Sequence, residues 1–498
     1  MDKGTQVFSI SFKNTMKITH ISAECYPAAK AGGLGDVVGA LPKYLNKAGH
    51  QATVVMPFYQ TDWLKSVEND LIFEGDFPFK SKSHSFSVYR VDKSELGFEL
   101  YLIDIPGRFD RPGVYIDPWA GHPYWDEMER FFSFQIASLE WLDSRQKMPD
   151  VIHCHDHHTG LVPFMMKECF RFETFRNVPS ILTIHNGEYQ GKYPINVYQT
   201  LPAFNLEKLG ILEWDGGLNC LAAGIKSAWK VTTVSKNYMR ELLDFCNGLE
   251  HLLRHEEEKT TGIVNGIDVQ VWNPKTDPLI ETNYSVQSSE KGKEANKRVL
   301  TKHFSIPGDL PLFSFIGRLV REKGADLIPD LIKTCYEQNV EASFIVLGTG
   351  EPALHDIFKK LESNYVGYFD SRLEYNEKLA HQIYAGSDFL MMPSRVEPCG
   401  LNQFYSMRYG TIPLVRKVGG LADTVIDISE NEGYGIVFDN FNLEEFIDAV
   451  KRGVDMYNKK ELFEKDRKNV MKLDFSWDRS TKEYISLYKS VIPKKLKL

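Results

Sequence analysis

The sequence predicts an α/β protein built as two doubly wound, parallel-sheet domains. Three observations carry that prediction. Short apolar runs alternate repeatedly with helix-like segments, the pattern of βαβ units. The series pauses between about residues 260 and 310 and then starts again. The segments that follow the apolar runs are rich in glycine and charge, as expected of ligand loops beyond the carboxyl ends of parallel strands.

In the first half the predicted strands are Ile18–Ala23, Ala52–Met56, Phe98–Ile103, Val151–His153, Ser180–Ile184 and Val231–Val234. In the second half they are Leu312–Ile316, Ser343–Leu347, Asp388–Met392, Ile412–Val415 and Gly435–Phe438. Runs such as "FIVLG" and "DFLMMP" are apolar at almost every position, which suits strands covered on both faces. Within the pause, "NGIDVQVWNPKTDP" has turn chemistry throughout, and "NYSVQSSEKGKEANKR" is polar and leads into a helix. The expected boundary lies near 262, with the first domain spanning 1–262 and the second beginning at 263. No tandem repeat is visible.

Composition narrows the class of function. The chain has 498 residues, 43% of them hydrophobic and 25% charged, as in a globular protein with room for two cores. Its formal net charge of -8 argues against a nucleic-acid partner. The basic end "YKSVIPKKLKL" reads as a solvated tail. Seven cysteines, at 25, 154, 169, 220, 246, 335 and 399, form no C-x-x-C pair and are odd in number, which predicts a reduced, cytoplasmic setting. Neither a secretory leader nor an apolar run of membrane-spanning length is visible. The first fifteen residues read as a loose extension, with Met16 as an alternative start.

Four loops carry the candidate chemistry. "KAGGLGDVVGALP" follows a strand and opens a helix, but it fails as a dinucleotide fingerprint. Counting from Gly33 and Gly35, the third glycine position holds Val38, and no acid ends the next strand. Gly32 and Gly33 still stand at a helix N-terminus able to face an anion, beside the Lys30 cation. "HCHDHHTG" resembles a metal site, yet its acid is Asp156, whereas the metallo-hydrolase spacing needs one at 157. A non-metal site is the preferred reading, with one or two of these groups meeting a substrate and the rest satisfying backbone or sheet-edge bonds. "GRLVREKG" supplies Arg318 and Lys323 as partners for phosphate oxygens. "SRVEPCGLNQF" places Glu397 and Gly400 ahead of a helix whose N–H groups suit phosphate, and Cys399 reads as a packing residue, not a nucleophile. With "VRKVGGLADTV" it makes a pair of glycine-bearing loops. Domains that each present such loops predict a cleft between them. Aromatic residues cluster between 101 and 141, where sugar stacking competes with ordinary core packing.

Together the motifs "KAGGLGDVVGALP", "HDHHTGL", "TIHNGEYQG", "TVSKNYMREL", "NGIDVQVWNP", "GRLVREKG", "PSRVEPCGLNQFYSMRYGTIPLVRKVGGLADTV" and "GYGIVF" resemble the bacterial glycogen synthase and plant starch synthase family. The resemblance runs from about Met16 to the C-terminal helix, with motif order and spacing in agreement. It implies the GT-B architecture, two Rossmann-like domains facing a central cleft. The second domain, 263–476, would bind the nucleotide sugar, and a helix over 477–498 would pack back on the first. The implied activity is retaining transfer of glucose from ADP-glucose to the non-reducing end of an α-1,4-glucan such as glycogen, with no metal or other cofactor.

The family's roles carry over residue by residue. Lys30 and Gly33 would meet the diphosphate and sugar, with Asp36 nearby. His158 would bond the transferred glucose, and Asn265 would lie at the hinge side of the site. Arg318 and Lys323 would neutralise the leaving diphosphate, and Tyr375 would stack on adenine. Glu397 would hold glucose hydroxyls, with the backbone of Cys399, Gly400 and Leu401 closing around sugar and phosphate.

Three positions depart from the family's pattern. His157 replaces the Trp of H-D-W-H, Val396 replaces the aromatic before the acid, and Asn402 replaces a Thr, with its amide still expected to donate to phosphate. A related family carries a second Glu where this chain has Tyr405, which disfavours sucrose- or trehalose-type transfer. The competing readings are a catalytically silent glucan-binding protein, a transferase using UDP-glucose, and another GT-B enzyme such as a phosphorylase or epimerase.

Overall fold

The structure is a computed structural model that describes residues 15–118, 120–145 and 147–493. The expected loose extension ahead of Met16 lies almost wholly outside the described residues, as do the last residues of the basic tail. The chain divides into two compact units. The first comprises residues 1–232, 245–260 and 481–498, and the second comprises 233–244 and 261–480.

In the first unit the strands are β1 (Lys17–Ile21), β2 (Gln51–Pro57), β3 (Asp70–Phe79), β4 (Lys82–Val91), β5 (Glu99–Asp104), β6 (Val151–His155), β7 (Ser180–Ile184), β8 (Lys192–Pro194), β9 (Glu213–Trp214), β10 (Gly217–Asn219), β11 (Lys230–Thr233) and β12 (Thr260–Gly262). Nine of them form one sheet, ordered β12-β11-β7-β6-β1-β2-β5-β4-β3. The pairs β7-β6, β6-β1, β1-β2 and β2-β5 are parallel, and the β3–β4 hairpin adds antiparallel at the edge. Strands β8, β9 and β10 make a small separate sheet. Strands β6 and β7 are buried at every position, including the β6 histidines His153 and His155, as suits strands covered on both faces.

The second unit holds a six-stranded sheet, built from β13 (Leu312–Ile316), β14 (Ser343–Leu347), β15 (Phe369–Arg372), β16 (Phe389–Met392), β17 (Ile412–Arg416) and β18 (Ile436–Phe438). Its order is β15-β14-β13-β16-β17-β18, and every pair is parallel. The strand order reverses direction at β13, between β14 and β16, so the loops after β13 and β16 lie at the switch point where such sheets bind ligands. Those loops are "GRLVREKG" and "SRVEPCG".

A single boundary at 262 does not describe the chain. Thr233–Asp244 groups with the second unit, and its helix Lys236–Asp244 shows why. Asn237 N–H donates to Asp423 Oδ2 at 2.7 Å, and Glu241 Oε1 accepts Gly419 N–H at 2.7 Å. At the other end, the helix Trp477–Val491 counts with the second unit through Ser480 and with the first from Thr481. In the first unit Tyr488 OH lies 2.8 Å from His153 Nδ1.

Candidate active site

In the second unit the site grows from the two switch-point loops. After β13 the chain forms a 3-10 turn, Arg321–Lys323, and leaves it through Gly324 at φ +69. A Cβ on Gly324 would sit 2.0 Å from the Pro393 carbonyl, so only glycine lets this turn pack against the chain leaving β16. The contact is fastened by Arg395, whose N–H donates to the Glu322 carbonyl at 2.8 Å and whose guanidinium grips Asp326 at 2.6 and 2.8 Å.

This bracing brings Lys323 Nζ to 2.8 Å from Glu397 Oε1. Ser394 Oγ donates to the other carboxylate oxygen at 2.9 Å. Glu397 is only 7% exposed, so its charge is held by fixed partners in place of water. Arg318 does not join this pair. Its guanidinium is mostly exposed and reaches Glu322 Oε2 at 3.1 Å.

The two glycine-bearing loops are packed backbone to backbone. Gly420 N–H donates to the Glu397 carbonyl at 2.9 Å. A Cβ on Gly419, which has φ +46, would fall 1.9 Å from the same carbonyl oxygen. Cys399 is buried, and burial pushes its thiol up to about 12, which keeps it protonated and unreactive, as expected of a packing residue. A backbone hydrogen bond from Asn265 reaches that sulfur, which ties the "NGID" segment to the loop. Gly400 adopts φ +73, and Leu401 precedes the helix Asn402–Arg408. Tyr375 is 82% exposed.

Asn402 departs in part from the expected phosphate donor. Its side-chain amide donates to the Ile316 carbonyl at the end of β13, at 2.7 Å, so one of its two N–H groups braces the loop. Tyr405 stacks on Trp272 with centroids 3.8 Å apart, away from any acid role at that position.

In the first unit the glycine loop also departs from expectation. Its leading N–H groups do not face an external anion. Ala31 and Gly32 donate to Glu24 Oε2 at 2.6 and 3.0 Å, so the anion at this turn is the chain's own carboxylate. Tyr115 OH donates to the other oxygen at 2.7 Å. The helix Gly33–Lys47 starts next, with Asp36 in its first turn paired to Lys30 at 2.7 Å. A Cβ on Gly32 or Gly33 would meet nothing within 4 Å, which leaves open space above these two residues. Sequence reasoning missed Glu24 and Tyr115. The available signal was an acid just past β1, ahead of a glycine turn with N–H groups to satisfy.

The histidine loop separates into two sets. His153 and His155, on β6, are fully buried. They were expected to satisfy backbone or sheet-edge bonds, but they bond other side chains instead. His155 Nε2 lies 3.1 Å from His20 Nδ1, and His155 Nδ1 lies 3.0 Å from His185 Nε2. His153 is held between Tyr488 OH and Thr183 Oγ1 at 2.8 and 2.6 Å. Burial lowers His20 and His185 to about 3, so this chain of imidazoles is neutral.

His157 and His158 occupy the 3-10 turn that follows. His158 stacks on Tyr115 and meets the edge of Phe131, at 4.6 and 4.4 Å between centroids. Desolvation drives it well below the usual histidine range. Asp156 enters this turn at φ +58 and accepts His185 N–H at 2.6 Å, and its burial raises the carboxyl to about 7.

Comparison with known proteins places these features in a family. A family model of the starch synthase catalytic domain matches residues 17–255, and one for group 1 glycosyl transferases matches 296–470. The glycogen synthase of Flavobacterium johnsoniae is 45% identical over 481 residues, covering 96% of this chain and all of that one. That of Streptococcus gordonii is 39% identical over 490 residues, with the same coverage. Among solved structures, the catalytic domain of starch synthase IV from Arabidopsis thaliana bound to ADP and acarbose superposes with a TM-score of 0.86 at 30% identity. It covers 96% of this chain and all of that one. A sucrose-phosphate synthase from Thermosynechococcus elongatus, at 16% identity and a TM-score of 0.58 over 95% of this chain and 98% of that one, shares the fold alone.

Proposed function

Because the chain belongs to the glycogen synthase and starch synthase family of GT-B glucosyltransferases, we propose that ADP-glucose is its donor. Glucose passes with retention to the non-reducing end of an α-1,4-glucan, and ADP leaves. The observation that carries this reading is the Lys323–Glu397 pair at 2.8 Å, set at the sheet's switch point under the two packed glycine loops.

Breaking the anomeric bond puts positive charge on the sugar and negative charge on the departing phosphate. Preorganised cations and N–H dipoles stabilise such charge without reorganising. Lys323 carries three donors, and its bond to Glu397 leaves others for phosphate. Arg318, on the exposed side of the same loop, adds a second cation. Glu397 is the acceptor for glucose hydroxyls, with the backbone from Cys399 to Leu401 around sugar and phosphate. In the second unit Tyr375 offers an exposed face to adenine, and Asn265 supports the loop through Cys399. In the first unit the open space above Gly33 suits donor approach, with Lys30 and Asp36 beside it and His158 as the partner of the transferred glucose. The leaving phosphate deprotonates the acceptor hydroxyl on the same face. A hydrolase would need two carboxylates flanking the bond, and the other acids of these loops, Glu322 and Asp326, are engaged by Arg318 and Arg395. The charge roles fall to Arg318 and Lys323, so the chemistry requires no metal or other cofactor.

Seven buried free cysteines support a reducing, cytoplasmic setting. No helix among the described residues is long and apolar enough to cross a membrane. Incubation with labelled ADP-glucose and glycogen tests the reading. Incorporation into glycogen is expected, a preference for UDP-glucose would reassign the donor, and no incorporation from either would favour the silent glucan-binding alternative.

A further inference from the structure

We propose that Glu127, His157 and His158 form a zinc-binding site whose occupation withdraws His158 from the transfer reaction. One ligand atom from each residue lies within 4.8 Å of the others. The closest approach between a ring and the carboxylate is 3.9 Å, from His158 Nε2 to Glu127 Oε1, too long for a hydrogen bond. The groups therefore converge without satisfying one another. His157 Nδ1 and His158 Nδ1 are both buried with no hydrogen-bond partner among the described residues.

The orientation of His157 is that of a ligand. The Tyr189 backbone is bonded to its ring, and Nδ1 is buried with no hydrogen-bond partner among the described residues. A backbone bond at one ring nitrogen fixes the tautomer and leaves a lone pair on the other, the usual support of a metal-binding histidine. The ring lies against His158 with centroids 3.7 Å apart, and His158 is itself clamped by Tyr115 and Phe131. Two imidazoles and one carboxylate suit zinc, and they suit magnesium poorly. Tetrahedral zinc holds its ligand atoms roughly 3.3 Å apart, so the set must close slightly. Glu127 can supply that movement, because its carboxylate stands in the first turn of the helix Glu127–Ser144 and is about a third exposed, at 32%.

The other histidine cluster is a weaker ligand set. His20, His153 and His155 are equally close, but both nitrogens of His153 and of His155 already make hydrogen bonds. His157 is also the position at which this chain departs from the H-D-W-H pattern it resembles. The third ligand is thus a property of this sequence.

The inhibitory half of the proposal rests on His158 as the partner of the transferred glucose, while zinc uptake is independent of it. The full chain is titrated with zinc against a chromophoric chelator, and zinc retained after dialysis is counted. One zinc per chain is expected. Glu127→Gln and His157→Trp should each weaken uptake by at least about tenfold, with circular dichroism confirming that both variants are folded. Labelled-glucose transfer should fall along the same zinc titration and return on chelation, with magnesium inactive at the same concentration. Absence of stoichiometric zinc, uptake unchanged in both variants, or full zinc loading with transfer intact would overturn the proposal. A chain inactive without zinc would fail the transferase reading, and the uptake measurements would still decide the metal site.

Discussion

Lys323 and Glu397 come from loops after different strands, and their side chains meet at 2.8 Å in a largely buried setting. The proposed catalysis depends on this pair. Glu397→Ala should lower kcat by at least about a hundredfold, the scale seen when one preorganised group is removed from a transition-state site. Initial-rate measurements with saturating donor and glycogen check this. A variant with near-normal turnover would show that Glu397 does not hold the reacting sugar.

Gly419→Ala should damage the same pair from behind. Its new methyl would lie 1.9 Å from the Glu397 carbonyl oxygen, at a φ of +46 that already disfavours a side chain. Overpacking of this kind costs about 1–3 kcal/mol, and the displaced loop should lose turnover as well. A urea midpoint and kcat both equal to wild type would contradict the packing described.

Glu24→Ala should loosen the glycine loop. Ala31 and Gly32 N–H and Tyr115 OH would lose their acceptor, at about 1–3 kcal/mol for the set. The expected result is a lower melting temperature and a raised KM for donor. Tyr115→Phe removes one bond and should cost less. Equal effects of the two variants would show that Glu24 does not anchor the turn.

Acid should destabilise the fold through the buried histidines. In the folded chain His20 and His185 sit at about 3 and His157 at about 4, below the ordinary value of 6.5. His153, His155 and His158 are also held well below it. A depressed folded value means the unfolded chain binds more protons, so stability is present above 6.5 and falls as pH drops toward the folded values. Asp156 acts in reverse. Raised from 3.8 to about 7, it favours the fold below its unfolded value and loses that contribution as pH rises through about 7. Six histidines outweigh one carboxyl, each proton being worth about 1.4 kcal/mol per pH unit. Urea midpoints should therefore fall clearly between about pH 7 and about pH 5, and Asp156→Asn should steepen the fall. A flat profile would contradict the buried neutral chain.

The parts legible in the sequence were those whose physics is local. Leu312–Ile316 and Ser343–Leu347 have the predicted bounds, because these strands, buried on both faces, are each apolar at all but one of their positions. Strand β15, "FDSR", went unread since this edge strand has one apolar residue followed by three polar ones. The hairpin β3–β4 is likewise an exposed edge pair. The loops carrying Lys323, Glu397 and His158 were marked by motif. What each side chain touches depends on neighbours from other strands, such as His20 of β1 and His185 after β7 around His155, which spacing along one segment does not show. The same limit hid Glu24. Glycines ahead of a helix signal that an anion is held, and the sequence does not say that the anion is internal. The placement of Thr233–Asp244 with the second unit was hidden too, because it rests on Asn237 and Glu241 reaching residues far along the chain.

The central claim is most directly tested by following labelled glucose from ADP-glucose into glycogen with the wild-type chain and Glu397→Ala side by side. Chain-end incorporation is predicted for the first and loss of nearly all of it for the second, with both folded. Equal incorporation by the two, or none from ADP-glucose or UDP-glucose by the wild type, would contradict the claim.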